Sequence, residues 1–124
     1  FAASQRLQLG HLDIETAFLY GELAQGEDVY IEEPPGFETA GADMVCKLNK
    51  CIYGLKQAPR VWHQTLKAVM TNLGFTQSNA DPALFYLGTA DRRCWVLVYV
   101  DDLLMAAADQ ATLDWIKTSI SGVF

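Results

Sequence analysis

The spacing of apolar residues predicts short strands at both ends of the chain. Residues 7–14 alternate loosely between apolar and polar side chains, which favours a strand, and residues 15–23 favour a short helix ended by a glycine. Residues 94–100 are rich in β-branched and aromatic side chains, which predicts a buried strand with residues 103–107 as its hairpin partner. Asp13 is expected at the end of the first of these strands.

Two amphipathic helices are predicted as well. The first covers residues 59–73, because Pro59 suits a first helical turn and Gly74 supplies a stop. The second covers residues 109–121, with Asp109 as its N-cap. The apolar stripe of the first helix is typical of core packing and consists of Trp62, Leu66, Val69, Met70 and Leu73.

The remaining segments predict short extended pieces and turns. Residues 22–38 are acidic and contain two prolines and two glycines, so we expect a loop with at most a short hairpin arm. The extended pieces are predicted at 28–33, 44–48, 51–55 and 83–87, with polar turns at 49–50 and 89–93. Together these elements predict an α+β fold with a mostly antiparallel sheet backed by two or three helices.

Composition favours one compact globular unit. The chain has 124 residues, of which 51% are hydrophobic and 19% charged, so intrinsic disorder is excluded and a packed core is expected. The first twelve residues lack the basic start and apolar run of a signal peptide, which argues against export. The longest apolar stretch, 94–108, contains two aspartates and is shorter than a membrane span, so we expect no membrane association.

Cysteine and histidine usage gives no metal signature. The three cysteines lack CxxC spacing, which predicts reduced thiols packed as small apolar groups in an intracellular protein. His11 and His63 are each isolated, which predicts structural roles rather than metal ligation. The net charge of −6 argues against nucleic-acid binding by this chain alone, because phosphate backbones are bound mainly by clustered lysine and arginine.

Two adjacent aspartates, Asp101 and Asp102, interrupt an apolar run that otherwise resembles the interior of a sheet. Paired carboxylates in such surroundings carry a cost of several kcal/mol unless a cation compensates them. Mg²⁺ prefers such oxygen ligands and completes its shell with water and substrate phosphate. A turn-forming role is the alternative, since aspartate is favoured in turns. Asp13, at the end of another apolar strand, raises the weight of the metal hypothesis.

Four blocks, read in order, make a family resemblance specific. They are LDIETAFLYGEL, VYIEEPPGFE, VCKLNKCIYGLKQAPRVW and LVYVDDLL. Together they resemble the reverse transcriptase of copia-type (Ty1/copia) retrotransposons over nearly the whole chain. YVDD alone is moderately specific, whereas YGLKQAPRVW followed by YVDD is strongly so. The resemblance implies a palm fold, with residues 1–124 as a single partial domain. It also implies basic fingers before Phe1, and thumb and RNase H regions after Phe124.

The resemblance implies a set of site residues. The three catalytic, metal-binding aspartates fall on Asp13, Asp101 and Asp102, with Asp13 and Asp101 bridging both metals. The backbone of Ile14 helps to hold a metal. The amides of Glu15, Thr16 and Ala17 receive the incoming triphosphate, Phe18 lies beneath its sugar and selects deoxynucleotides, and Gln57 contacts the nucleotide. Tyr99 and Val100 border the primer end. Without the resemblance, Phe18 is equally well explained by core packing, and Gln57 by exposure near a helix start.

The implied function is RNA-directed DNA polymerisation. It requires two Mg²⁺ ions, with Mn²⁺ as an alternative, deoxynucleoside triphosphates, an RNA or DNA template with its primer, and the rest of the retrotransposon polyprotein. A cytoplasmic location, virus-like particles included, follows from the same resemblance. The resemblance also implies that the isolated chain is inactive, because it places the fingers and thumb outside residues 1–124. A non-catalytic remnant of a degenerate mobile element is the main alternative, and a metal-dependent nucleotide cyclase or hydrolase is a weaker one.

Overall fold

The chain alternates strands with helices in a computed structural model, which describes residues 1–38, 44–89 and 92–124. Its elements are β1 (Gln8–Asp13), a 3₁₀ helix (Ala17–Tyr20), β2 (Tyr30–Glu32), β3 (Val45–Lys47), α1 (Ala58–Asn72), β4 (Thr76–Gln77), β5 (Leu84–Gly88), β6 (Arg93–Tyr99), β7 (Asp102–Ala107) and α2 (Gln110–Ser121). The main sheet is antiparallel and has the order β1-β7-β6-β5-β4, while β2 and β3 form a separate ribbon. The α+β prediction with an antiparallel sheet is therefore confirmed.

The main sheet has one covered face and one open face. Alternate residues of β6 and β7 are buried, because successive side chains of a strand point to opposite faces. The buried residues of these two strands belong to the same hydrophobic cluster as the apolar stripes of α1 and α2, so both helices lie on one side of the sheet. The residues of β6 and β7 in that cluster are Cys94, Val96, Val98, Leu103, Met105 and Ala107.

The opposite face of the sheet is exposed. Leu9, Leu97 and Leu104 lie there, each more than a third accessible to solvent. The residues at one end of this face include Asp13 and Asp102, which are also exposed. The carboxylates therefore stand on a surface that the two helices leave uncovered.

Helix α1 follows its sequence signals closely. Pro59 lies in its first turn, and Gly74, with φ of 90°, follows its end in the left-handed conformation that glycine adopts without strain. Trp62, Leu66 and Met70 are spaced four residues apart and are all buried. The predicted stripe is confirmed as core at these three positions and Leu73 packs against them, whereas Val69 is only partly buried and lies outside the cluster.

Helix α2 begins at the predicted cap. The carboxylate of Asp109 accepts a hydrogen bond of 2.7 Å from the backbone N–H of Thr112, which satisfies one of the free amides at the helix start. Leu113, Ile116 and Ile120 are buried, and the helix contacts β1, β6 and β7. The amphipathic prediction for this segment is confirmed.

Some local predictions need correction. Residues 51–55 are not an extended piece: Leu55 N–H donates to the Ile52 carbonyl in a turn, and Gly54 has φ of 97°. Strand β4 has only two residues and gave no periodic signal. The predicted arm at 28–33 and the piece at 44–48 pair with each other as β2 and β3. The middle of the predicted turn at 89–93, Ala90 and Asp91, lies outside the described residues.

The cysteines and the membrane prediction can also be checked. Cys46, Cys51 and Cys94 are all free thiols, and the last two are buried, as expected of small apolar groups. Within the described segments, no helix combines the length and the apolar character needed to cross a bilayer.

Candidate functional site

The three predicted aspartates gather at one end of the main sheet. β1 and β7 pair with Asp13 directly opposite Asp102, and Asp101 occupies the tight loop just before β7. The backbone N–H of Ile14 donates to the carbonyl of Asp101 over 2.9 Å, which ties the end of β1 to this loop. Strand pairing thus brings together residues that lie far apart in the sequence.

The carboxylates of Asp13 and Asp102 share the open face. Directly opposed residues of an antiparallel pair have Cβ atoms about 4.5–5.5 Å apart, and two like charges at that distance destabilise the pair. The neighbouring loop residue Asp101 is half-buried. A cation at this end of the sheet would relieve the repulsion.

His11 is not isolated, contrary to the sequence-based expectation. Its Nε2 lies 2.8 Å from Oδ1 of Asp102, and both side chains are about half exposed. His11 stands two residues before Asp13 on the same strand, so the two side chains point to the same face. The period-two spacing of His11 and Asp13 indicates that the two side chains share a face. The contact with Asp102 depends on the register between β1 and β7, which the local sequence does not predict. The other histidine, His63, contacts Gln77 and has the structural role that was expected.

The carboxylates of Asp13, Asp101 and Asp102 are ligands that suit a divalent cation, although the described residues do not form a complete coordination shell. Across residues 1–38, 44–89 and 92–124, no three His, Cys, Asp or Glu side chains converge closely enough to hold a metal ion. Mg²⁺ commonly takes only one or two protein carboxylates and completes its shell with water and substrate phosphate. Two facing carboxylates with a third in the adjacent loop meet that requirement, so the residues present fit such an ion.

The backbone is strained on both sides of the carboxylates. Thr16 has φ of 55° and Val100 has φ of 56°, in the left-handed region that β-branched residues rarely adopt. Such conformations cost about 1–3 kcal/mol each and are concentrated at functional sites. Thr16 follows Asp13 by three residues, and Val100 directly precedes Asp101. The strain marks both chain segments that carry the acidic residues.

The predicted triphosphate site lies at the start of the 3₁₀ helix. In the described part of the chain, the N–H groups of Glu15, Thr16 and Ala17 donate to no backbone carbonyl. Thr16 is the N-cap and makes no side-chain capping bond. Unpaired amides at a helix start attract anions, because the backbone dipoles add there. A cleft of about 260 Å³ borders Asp13, Ile14 and Glu15 and is also lined by the C-terminal end of α2.

Phe18 is more buried than a freely accessible sugar contact would be. Only 8% of it is exposed, and the Tyr53 ring covers it with a centroid distance of 4.5 Å. Phe18 also lines a cavity of about 130 Å³ together with Trp62, Val98 and Val100. Phe18 thus belongs to the core and also borders this cavity.

Gln57 and the hairpin residues lie in different places relative to the aspartates. Gln57 is the N-cap of α1 and lines a groove formed by Ala24, Glu27 and Arg60, which includes none of the three aspartates. Tyr99 is 77% exposed on the last position of β6, opposite Asp102. Val100 is adjacent, 40% exposed. The structure therefore brings Tyr99 and Val100 to the carboxylates but leaves Gln57 in a separate groove.

Comparison with known proteins gives one consistent family. The family model described as "Reverse transcriptase (RNA-dependent DNA polymerase)" matches residues 1–124. The chain is 40% identical over 125 residues to a retrovirus-related Pol polyprotein from transposon TNT 1-94 of Nicotiana tabacum, covering 99% of this chain and 9% of that protein. It is 41% identical over 113 residues to the corresponding polyprotein from transposon RE1 of Arabidopsis thaliana, covering 90% of this chain and 8% of that protein.

A yeast relative gives the same result. The chain is 33% identical over 114 residues to a putative transposon Ty5-1 protein of Saccharomyces cerevisiae, covering 91% of this chain and 36% of that protein. The chain thus spans from under a tenth to about a third of the length of these three relatives. With the family model matched from end to end, the chain belongs to the reverse transcriptase (RNA-dependent DNA polymerase) family, and within it to the copia-type retrotransposon group.

Proposed function

We propose that this chain is the palm region of a reverse transcriptase that transfers deoxynucleotides to a primer 3′-hydroxyl on an RNA or DNA template. The observation that carries the proposal is the register that sets Asp13 opposite Asp102, with Asp101 in the adjoining loop. Strand ends from distant parts of the chain thereby concentrate acidic oxygens on an uncovered surface. Nucleotidyl transfer needs such a centre beside an accessible surface, because its substrates are large and polyanionic.

The acidic residues have a defined task in this reaction. Asp13, Asp101 and Asp102, with the backbone of Ile14, would hold two Mg²⁺ ions, or Mn²⁺ in their place. Bound ions of this kind lower the pKa of the attacking hydroxyl and stabilise charge on the leaving pyrophosphate. The rigid pairing of β1 with β7 keeps the carboxylates in place before substrate arrives, which reduces the entropy lost in the reaction.

Neighbouring residues are assigned to the substrates. We propose that the amides of Glu15, Thr16 and Ala17 receive the triphosphate, since they donate to no backbone carbonyl among the described residues. Phe18 excludes the ribose 2′-hydroxyl by bulk, and the exposed Tyr99 and its neighbour Val100 border the primer end. Gln57 contacts the nucleotide in this proposal. Because Gln57 lines a groove apart from the three aspartates, this contact requires that the nucleotide extend into the groove or that the start of α1 move toward the aspartates.

In this proposal, the remaining contacts to template and primer come from other regions of the polyprotein. Residues 1–124 would form a single partial domain, and basic fingers and thumb regions of the polyprotein would supply the contacts to phosphate that a net charge of −6 does not. Deoxynucleoside triphosphates and the primed template are the proposed substrates. The proposed place of work is the cytoplasm, virus-like particles included.

Primer extension tests the proposal directly. A Pol polyprotein containing this chain is compared with its Asp101→Asn, Asp13→Asn and Asp102→Asn variants in the presence of Mg²⁺. Each variant keeps the shape of the side chain and removes its charge, so extension should fall by roughly 10²–10³-fold. Asp114→Asn is the matched control, because Asp114 is an exposed aspartate on α2 whose carboxylate contacts Gln110 instead of the sheet end.

Other outcomes identify the alternatives. If the native protein extends no primer although fingers and thumb are present, the chain is a non-catalytic remnant of a mobile element. Turnover of free nucleotide without a primed template indicates a nucleotide cyclase or hydrolase. Equal extension by the native protein and Asp101→Asn removes Asp101 from the catalytic centre.

A further inference from the structure

The hairpin loop that carries the carboxylates has an unfavourable residue at its first position. Tyr99 pairs with Asp102, so the β6–β7 loop consists of Val100 and Asp101 alone. Two-residue hairpin loops of the common types require a positive φ at the first loop position, which glycine or asparagine adopts most easily. Here Val100 adopts it with φ of 56°. A valine stays in that conformation only where surrounding contacts hold it there.

Both carbonyls of this loop are held from outside the hairpin. The carbonyl of Asp101 accepts from the backbone N–H of Ile14 at 2.9 Å. The carbonyl of Val100 accepts from the indole N–H of Trp62 at 2.6 Å. In the described portion of the chain, this indole is the only side chain that donates to either loop carbonyl.

The indole of Trp62 is itself fixed. It is 2% exposed and comes from α1, a helix of fifteen residues that packs into the core. Phe124 contacts the ring edge-on with a centroid distance of 5.1 Å, and Tyr20 lies at 6.3 Å. A buried indole N–H is a donor only, and its position is set by the packing of the ring. The loop is therefore tied to a rigid element.

We infer that Trp62 is a positioning residue for catalysis, which fixes the strained Val100–Asp101 loop through its N–H and so sets Asp101 and Asp102 against Asp13. The inference rests on the proposed polymerase function. Trp62 acts on the loop through its backbone, at the carbonyl of Val100. This hydrogen bond also links two sequence blocks, YGLKQAPRVW and YVDD. Trp62 is the last residue of the first block, and it donates to the carbonyl of Val100 in the second.

The test removes the donor and keeps the ring. In a Pol polyprotein containing this chain, Trp62 is replaced by benzothienylalanine, which has sulfur in place of the indole N–H. We expect kcat to fall about tenfold and the half-saturating Mg²⁺ concentration to rise severalfold, because small displacements of catalytic groups are costly. The KM for primed template should stay unchanged. Trp62→Phe, which also loses packing, should show the same Mg²⁺ shift together with a lower Tm.

A second measurement reports on the loop without catalysis. Amide hydrogen exchange in residues 99–103 should become faster in the benzothienylalanine protein, while exchange within α1 stays slow. The same replacement at Trp115 is the matched control, because that ring contacts Phe75 and the Arg92 guanidinium, next to the end of β6 opposite the Val100–Asp101 loop. It should leave kcat, Mg²⁺ dependence and exchange at 99–103 unchanged.

The possible results separate the two ideas. Unchanged exchange at 99–103, or faster exchange with unchanged kcat and Mg²⁺ dependence, overturns the positioning role of Trp62 while polymerase activity stands. A native protein without primer extension overturns the proposed function, and the positioning role with it, whatever the exchange data show.

Discussion

Phe18 combines a place in the core with the role at the nucleotide sugar that we propose for it. It is almost fully buried, yet it lines the small cavity beneath Val100 and is covered by the half-exposed ring of Tyr53. A bulky ring at a sugar site rejects an additional hydroxyl by steric contact. Such discrimination depends on the size of the ring and not only on its apolar character.

Phe18→Val should relax sugar selection. We expect the ratio of kcat/KM for deoxynucleotide over ribonucleotide to fall about tenfold, as the pocket gains room for the 2′-hydroxyl. Steady-state primer extension with each nucleotide measures the ratio. Phe75→Val is the matched control, because Phe75 is equally buried but packs against Trp115. Both variants should lose stability, on the order of 2–3 kcal/mol. An unchanged ratio in Phe18→Val would leave Phe18 with a core role alone.

The cysteines should differ in reactivity because burial changes their ionisation. Burial raises the pKa of Cys94 to about 11, and it raises the pKa of Cys51 as well. A thiol whose pKa lies far above the solution pH stays protonated, and only the thiolate reacts. At pH 8, iodoacetamide should therefore modify the more accessible Cys46 first.

Peptide mapping by mass spectrometry after timed alkylation measures this order. In urea the three thiols should react at similar rates, because unfolding removes the burial that protects two of them. Modification of Cys94 in the native chain as fast as Cys46 would show that β6 does not shield it.

At the scale of elements, local signals predicted the helices and the central hairpin well. The proline, the glycine stop and the four-residue spacing defined α1, and the cap at Asp109 defined α2. The prediction of an extended piece at 51–55 was wrong because Gly54 adopts a positive φ, which ends an extended segment. Strand β4 has only two residues, which are too few to show a periodic pattern. Its pairing with β5 depends on the tertiary fold and not on the local sequence.

The cap of α2 offers a direct stability test. Asp109→Ala removes the acceptor for the Thr112 N–H, so the free energy of unfolding should fall by about 1 kcal/mol. Urea denaturation followed by circular dichroism measures the change. Asp114→Ala, on the exposed side of the same helix, should alter it by less than about 0.5 kcal/mol. Equal losses for both variants would mean that the cap makes no contribution of its own, since helix propensity alone favours alanine over aspartate.

The same reasoning explains which parts of the site were foreseen. Asp13, Asp101 and Asp102 were each visible as acidic residues at predicted strand ends, and the register of β1 with β7 then brought them together. The contact of His11 with Asp102 and that of Trp62 with Val100 were not foreseen. Both depend on distances between segments that no local pattern encodes, and Trp62 was fully explained by its place in the core stripe.

At the scale of the whole molecule, charge distinguishes this chain from a nucleic-acid-binding protein that works alone. It has nine lysines and arginines against fifteen aspartates and glutamates. Affinity for a phosphate backbone grows with the number of cations that displace condensed counterions. Under the proposed function, this acidic chain would need metal ions and basic regions of the polyprotein before a primed template could approach.

The purified 124-residue chain should consequently bind a primed template very weakly. We expect a Kd above roughly 10⁻⁴ M at physiological salt, the weak end of non-specific binding, because few cations are available to displace counterions. Fluorescence anisotropy of a labelled primer–template, with and without Mg²⁺, measures the Kd, and a Pol polyprotein containing the chain serves as the positive control. The polyprotein should bind tightly and lose affinity steeply as salt rises. Tight, salt-sensitive binding by the chain alone would contradict the proposal that other regions of the polyprotein supply the phosphate contacts, and would place a cationic surface within these residues.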